Sequence, residues 1–202
     1  MGKPENIDKV IASFRDAVIQ GQKGWRGGYV LIDRQTGKLL TMTLWESREA
    51  MEESASLARQ IWGEAASKAG AAQPTVEAYE VAMQPEPAQR ESEAGSPDGG
   101  HARVSTITGK PENIDRLIDF FKRSMTGKEK GWQGAYALVN RATGKVLTMT
   151  LWESRKAIEE TAPAANRIRG EAVSIAGAGE PTVELYEVAL QPEPAELGGK
   201  AR

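Results

Sequence analysis

The feature that most constrains this chain is that nearly all of it occurs twice. Gly2–Asp8 reads GKPENID and Gly109–Asp115 repeats it; Thr41–Ser47 and Thr148–Ser154 both read TMTLWES. PTVE at Pro74–Glu77 recurs at Pro181–Glu184, and YEVA at Tyr79–Ala82 recurs at Tyr186–Ala189. The offset is constant, 132 − 25 for a Trp pair and 148 − 41 for a Thr pair, both 107. No gap is needed, and roughly 60% of paired positions are identical, over a period far longer than the about 20–50 residues of a solenoid unit. The repeat is therefore a whole small domain, and the fold must be one that a single sequence pattern can build twice.

Between the copies lies QPEPAQRESEAGSPDGGH, rich in Pro, Gly, Ser and Glu and without apolar periodicity, which reads as a flexible linker. The chain then divides into a first repeat at 1–83, a linker at 84–101, a second repeat at 102–190 and a loose tail at 191–202.

Each copy has a legible pattern. After a helix-starting Pro4, the residues Ile7, Val10, Ile11, Phe14 and Val18 follow helical spacing, as do Ile114, Leu117, Ile118, Phe121 and Met125. Trp25–Asp33 and Lys38–Glu46 read as strands joined through Arg34-Gln35-Thr36-Gly37, a β-hairpin. Ser47 is a good N-cap for an amphipathic helix over Arg48–Ala69, and Pro163 predicts a break in the second copy's version of it. Thr75–Met83 and Thr182–Leu190 read as closing strands. Ala102–Thr108 is a further strand in front of the second copy, and the first copy shows no counterpart. The full unit is β-α-β-β-α-β; the first copy reads α-β-β-α-β.

A hairpin paired Arg34 to Lys38 would place Ile32, Val30, Leu40, Met42, Gly28 and Leu44 on an aliphatic face. The other face would carry Leu31, Tyr29, Thr41, Thr43, Gly27 and Trp45, the second copy repeating it with Tyr136, Thr148, Thr150 and Trp152. Rings with a few hydroxyls make a cavity wall. Trp45, Tyr29 and Thr43, with Trp152, Tyr136 and Thr150, are accordingly the candidate ligand-binding residues; each is equally a residue that could simply pack in a core. Trp25 and Trp132 read as packing residues, Glu46, Arg48, Glu153 and Arg155 as solvated charges at a helix entry. Trp62, opposite Arg169 in the repeat, is either exposed or part of a cleft peculiar to the first copy.

Composition removes whole classes of chemistry. The 202 residues contain no Cys and one His, His101, which excludes disulfides, thiolate metal sites, a Cys nucleophile and a multi-His metal site. A net charge of −2 speaks against a nucleic-acid surface, and the short apolar runs against a membrane span. With no signal-peptide pattern at the start, the expected location is the cytoplasm. No Gly-rich phosphate loop, Ser-His-Asp set or metal spacing is present.

The βαββαβ order, the Gly-Trp opening the second strand, the R-x-T-G hairpin and TMTLWES leading into a helix resemble the antibiotic biosynthesis monooxygenase-like family of the dimeric α+β barrel superfamily. The resemblance covers nearly all of both copies. It implies an α+β chain of two ferredoxin-like repeats forming an intramolecular dimeric α+β barrel, the first lacking strand one, with the aliphatic sheet faces together. It implies a ligand cleft between sheet and helices, lined at Trp45 and Trp152. It implies a cofactor-independent monooxygenase-like protein acting on a small aromatic or polyketide-like molecule, with no metal. Oxygenase and haem-degrading branches often carry Asn on strand one, which Ala102–Thr108 lacks, and the haem branch uses a helix His, which His101 is not. The alternative is a non-catalytic small-molecule binder or structural pseudo-dimer of the same fold. The expected partner is a small aromatic ligand, with no nucleic acid and no membrane; homo-oligomerisation beyond the internal pair and the identity of catalytic residues stay open.

Overall fold

The computed structural model describes residues 22–70, 74–85 and 100–191, together with Asp8, Ile11, Ala12 and Phe14. Most of the expected first helix of copy one, most of the linker and the C-terminal tail lie outside the described residues. The chain is mixed α+β. Among the described residues it has seven strands: β1 (Trp25–Asp33), β2 (Lys38–Trp45), β3 (Glu80–Met83), β4 (His101–Thr108), β5 (Trp132–Asn140), β6 (Lys145–Trp152) and β7 (Thr182–Leu190). Among the described residues the α-helices are α1 (Arg48–Ala69), α2 (Ile114–Ser124), α3 (Arg155–Glu160) and α4 (Ala162–Ala176). The chain forms two compact units, one of Met1–Val76 with Glu187–Arg202, the other of Glu77–Tyr186.

The second unit runs β4, α2, β5, β6, α3, α4 and the start of β7, the βαββαβ order. Its strands lie in the order β7-β4-β6-β5-β3, and β6 is flanked by β5 and β4 along its length, from Lys145 to Trp152. The edge strand β3 belongs by sequence to the first copy and pairs antiparallel with β5, Glu80 to Val139 and Val81 to Leu138. The core lies between sheet and helices. Ile107, Val139 and Val146 of the strands meet Ile114, Leu117, Ile118 and Phe121 of α2 and Ala172 and Ala176 of α4, all buried. The helical spacing read for α2 therefore sets the buried face.

In the first unit the strand order is β2-β1-β7, with Glu187–Leu190 of β7 pairing antiparallel along Val30–Ile32. The helix α1 spans the predicted Arg48–Ala69, capped by Ser47, whose hydroxyl accepts from the Ala50 N–H at 3.2 Å, and closed by Gly70 at φ 62°. Phe14, Val30 and Ala65 are buried together with Leu39, Ile61 and Trp62 against them. The closing strand β7 of the second copy flanks β1; beside β2, among the described residues, no further strand pairs.

The hairpin register differs from the expected one by one residue. Asp33 pairs with Lys38, Ile32 with Leu39, Leu31 with Leu40, Val30 with Thr41, Tyr29 with Met42 and Gly28 with Thr43. The cause is the residue before the turn. Asp33 Oδ1 accepts from the N–H groups of Gln35 (2.9 Å) and Thr36 (3.3 Å), the Thr36 hydroxyl donates to Oδ2 (2.6 Å), and the Gly37 N–H donates to the Asp33 carbonyl (2.9 Å). This side-chain-capped loop holds four residues, not three, with Gly37 at φ 69°. Asn140 and Gly144 build the same loop in the second copy. Since a one-residue slip moves each side chain relative to its cross-strand partner, Tyr29 shares a face with Leu31, Met42 and Leu44, not with Thr43 and Trp45.

Pro163 acts as expected. The helix breaks at Thr161 between α3 and α4, with Pro163 in the first turn of the latter.

Candidate functional site

A cavity lies in the second unit between the sheet and helices α2 and α4, with about 630 Å3 of empty space counting its open mouth. The sheet side is floored by Ser105 and Arg103 of β4 and by Thr148, Thr150 and Trp152 of β6. Alternation puts these three β6 residues on one face, the one carrying Val146 into the helical core. The helix side supplies Phe121, Ala165, Ile168 and Arg169, and the loop before β5 supplies Glu129.

Trp152 is the structural centre of the wall. It is 2% exposed, its indole Nε1–H donates to Thr150 Oγ1 at 2.9 Å, and its ring meets Trp132 edge to face at 5.2 Å. A bulge between Trp132 and Gly134 brings the two indoles opposite each other. Gly131 enters that turn at φ 78°, and a Cβ there would lie 2.8 Å from Ala157 Cβ, so only Gly allows the close approach of helix and hairpin. The Nε1–H of Trp132 is buried without a hydrogen-bond partner, as is Glu129 Oε2.

Arg103 points into this wall from β4. It is 5% exposed and its guanidinium sits 5.7 Å from the Trp152 ring centroid. It donates to the Ile158 carbonyl and, at 3.1 Å, to Thr161 Oγ1. Both acceptors belong to the helix break: where Pro163 interrupts the helix, a carbonyl becomes available for a side chain from the sheet. Burial pushes the Arg103 guanidinium down to about 10, and the neighbouring Arg169 adds to that. Burial lowers Arg169 as well. Among the described residues neither arginine forms an ion pair; Arg169 has only Asn166 Oδ1 as a hydrogen-bond acceptor.

Of the residues singled out from the sequence, Trp152 and Thr150 line the cavity. Tyr136 does not: it is 1% exposed opposite Met149, on the other face of the sheet. Tyr29 is placed the same way opposite Met42, 3% exposed. In the first unit Trp45 donates to Thr43 Oγ1 at 3.1 Å, as its counterpart does, but the indole is half-buried and Thr43 is exposed. Trp62 is half-buried, and its ring packs on Phe14 at 4.7 Å in that unit's core. Glu46 pairs with Arg26 at 2.9 Å on the surface, while Arg48 and Arg155 pair along their own helices. His101, the last residue of the linker as read from the sequence, begins β4, half-buried and opposite Trp152.

The sequence reading missed Arg103, Arg169 and Glu129. The signal was available in the repeat itself. With the 107-residue offset, Glu129 aligns with Gln22 and Arg169 with Trp62. These two charges on the cavity wall are residues the two copies do not share. Among the described residues no group of acidic and His side chains could hold a metal ion.

No protein-family model matches the chain. Two proteins of Mycobacterium tuberculosis, each named only as uncharacterised, are similar along most of it. One is 29% identical over 192 residues, covering 92% of this chain and 83% of the relative. The other is 26% identical over 196 residues, covering 93% and 80%. Among solved structures, an anthrone oxidase-like protein matches with a TM-score of 0.68 at 18% identity, covering 100% of this chain and 93% of that chain. A monooxygenase-like protein of Listeria innocua matches at 0.53 and 12% identity, covering 93% and 89%. A ferredoxin-fold protein of Listeria monocytogenes related to antibiotic biosynthesis monooxygenases matches at 0.52 and 12%, covering 89% of each. The fold is thus that of the antibiotic biosynthesis monooxygenase-like ferredoxin-fold proteins.

Proposed function

We propose that the second repeat binds a small, flat aromatic or polyketide-like molecule in its cavity and oxygenates it without a cofactor. The observation that carries this reading is the cavity wall itself: two indoles edge to face, hydroxyls at Thr148 and Thr150, and one carboxylate with an unpartnered buried oxygen, Glu129. Ring surfaces select a flat ligand, and the few polar groups orient it. The solved neighbours named anthrone oxidase-like and monooxygenase-like support the reaction class by analogy of fold.

The chemistry asks little of the protein. A ring-flanked methylene is acidic enough for a carboxylate such as Glu129 to accept its proton, and the resulting enolate reduces O2. Conversion of CH2 to C=O by one O2 releases one water, so the substrate supplies every electron and no external reductant enters. The contribution of the chain is to position the methylene, accept the proton and exclude bulk water.

The expected architecture, two ferredoxin-like repeats forming a dimeric α+β barrel within one chain, is part of the same proposal. The gapless repeat and the placement of β3 in the second repeat's unit support it. Light scattering should find one chain acting as its own dimer.

The test is oxygen uptake with an anthrone-type substrate. One O2 consumed per methylene, with Glu129→Gln reducing the rate about 100-fold or more, supports oxygenation. Saturable binding without uptake would instead establish the second reading, a non-catalytic binder, which the lack of Asn on β4 favours.

A further inference from the structure

Two arginines face one cavity without an acid to neutralise them. Arg103 is almost fully buried, and its donors are only partly used on the Ile158 carbonyl and Thr161. Arg169, one of the α4 residues facing the same space, bonds only to Asn166. Like charges at one wall repel, and burial is unfavourable for each. An arrangement of this kind is retained when an anion completes it. Glu129 does not do so, because no ion pair within 4 Å joins it to either arginine. The guanidinium fork matches the two oxygens of a carboxylate. The apolar lining beside it, Phe121 and Ile168 with Trp132 and Trp152, suits an aromatic ring.

The repeat supplies an internal control. The aromatic T-x-W wall is common to both copies, Thr43 and Trp45 matching Thr150 and Trp152. Two of the charges are not: Trp62 stands where Arg169 does, and Gln22 where Glu129 does. A wall needed only for packing would not require an unpaired cation at Arg169 where the other copy carries Trp62.

We propose that the cavity of the second unit selects an aromatic carboxylic acid, its ring in the cavity against Phe121 and Ile168 beside Trp152 and its carboxylate held between Arg103 and Arg169. This rests on the aromatic-ligand reading above and adds the charge of the ligand. Thr161, whose hydroxyl accepts from Arg103, is then a positioning residue for the cation, set by the break at Pro163.

The experiment is calorimetric titration of the full chain with 1-naphthoate and with 1-naphthamide, which has the same shape and no charge. The expected result is at least tenfold tighter binding of the acid, shrinking as salt is raised. Arg169→Met should reduce the acid's affinity about tenfold and leave the amide unchanged. Arg103→Met should do the same, with Arg103→Lys restoring part of the preference. If Arg103→Met fails to fold, the Arg169 variant decides. Equal affinities for acid and amide would overturn the charge assignment and leave the aromatic site standing. Failure of both compounds to bind would overturn both. An acid preference untouched by Arg169→Met would place the anion elsewhere and refute the proposal.

Discussion

The sequence TMTLWES occurs twice, so replacing its Trp in each copy compares two environments at constant local sequence. Intrinsic strand propensity, the neighbouring Ser N-cap and the Trp-to-Thr hydrogen bond are the same at Trp45 and Trp152. What differs is burial and company. Trp152 is 2% exposed, meets Trp132 edge to face and carries a guanidinium on its ring, while Trp45 is half-buried. A buried Trp replaced by Ala costs about 3–5 kcal/mol, and the ring and cation contacts place Trp152 in the upper part of that range, about 4–5 kcal/mol. Half the burial at Trp45 gives about half the loss, roughly 1.5–2.5 kcal/mol. The two units need not unfold together, so the readout should be local. Urea titrations with pulsed hydrogen exchange, read on peptides from each hairpin, give a midpoint for each copy. Trp152→Ala should lower the midpoint of the second hairpin by roughly twice what Trp45→Ala does to the first. Equal losses, or a larger loss at Trp45, would refute the assignment of the fuller core to the second unit.

Three further outcomes follow from particular contacts. Among the described residues β2 is flanked only by β1, whereas β6 has strands on both sides, so peptides from Leu39–Trp45 should exchange faster than those from Val146–Trp152; equal protection, checked by mass spectrometry, would mean that another segment covers the β2 edge. Asp33→Ala should cost about 0.5–1.5 kcal/mol by leaving turn N–H groups without an acceptor, while Asp33→Asn should cost little because Asn140 does the same work in the second copy; thermal unfolding measures both. The Lys145–Glu77 pair, 2.6 Å apart and part-exposed, should show about 0.5–1 kcal/mol of coupling in a double-mutant cycle, falling in high salt. Its lysine holds Glu77 below the ordinary 4.5, so the coupling is present above that value and is lost as pH falls through the depressed one. Glu77 raises Lys145 above its ordinary 10.5, so the coupling is whole below that value and is lost as pH rises through the raised one.

The fold was largely legible because the repeat tests each element twice. Helix α1, strand β7, the hairpins and the break near Pro163 follow from caps, periodicity and one Pro. Two things were not legible for definite reasons. The hairpin register hung on a side chain: Asp33 and Asn140 capping the turn add one residue to the loop, and with that residue both tyrosines leave the cavity face. The second was the cavity's charge. Arg103 looks like any polar residue in a strand, and Arg169 like any cation on a helix. Only the approach of β4 to the Thr161 break buries the first and brings the second to the same wall.

Repetition also separates what builds the domain from what gives one copy its chemistry. Positions shared by the copies are turn acceptors, helix caps, the helix-facing glycines Gly24 and Gly131, and the Thr-Trp pairs. Each has a structural task that both units must perform. The positions that differ are freer to vary without undoing the fold, and two of them, Glu129 and Arg169, meet at one cavity. In the first unit the position matching Arg169 carries Trp62, whose ring closes against Phe14 and adds apolar burial where the other copy keeps a cation. A ring that packs there contributes to stability; a half-buried guanidinium without an ion-pair partner detracts from it. The second copy has taken the less stable choice at that position and has the better-covered sheet to offset it, with β4 alongside β6. The strand β4 that flanks β6 also supplies Arg103, so a variant that loosens β4 should weaken both the sheet and the binding of the acid.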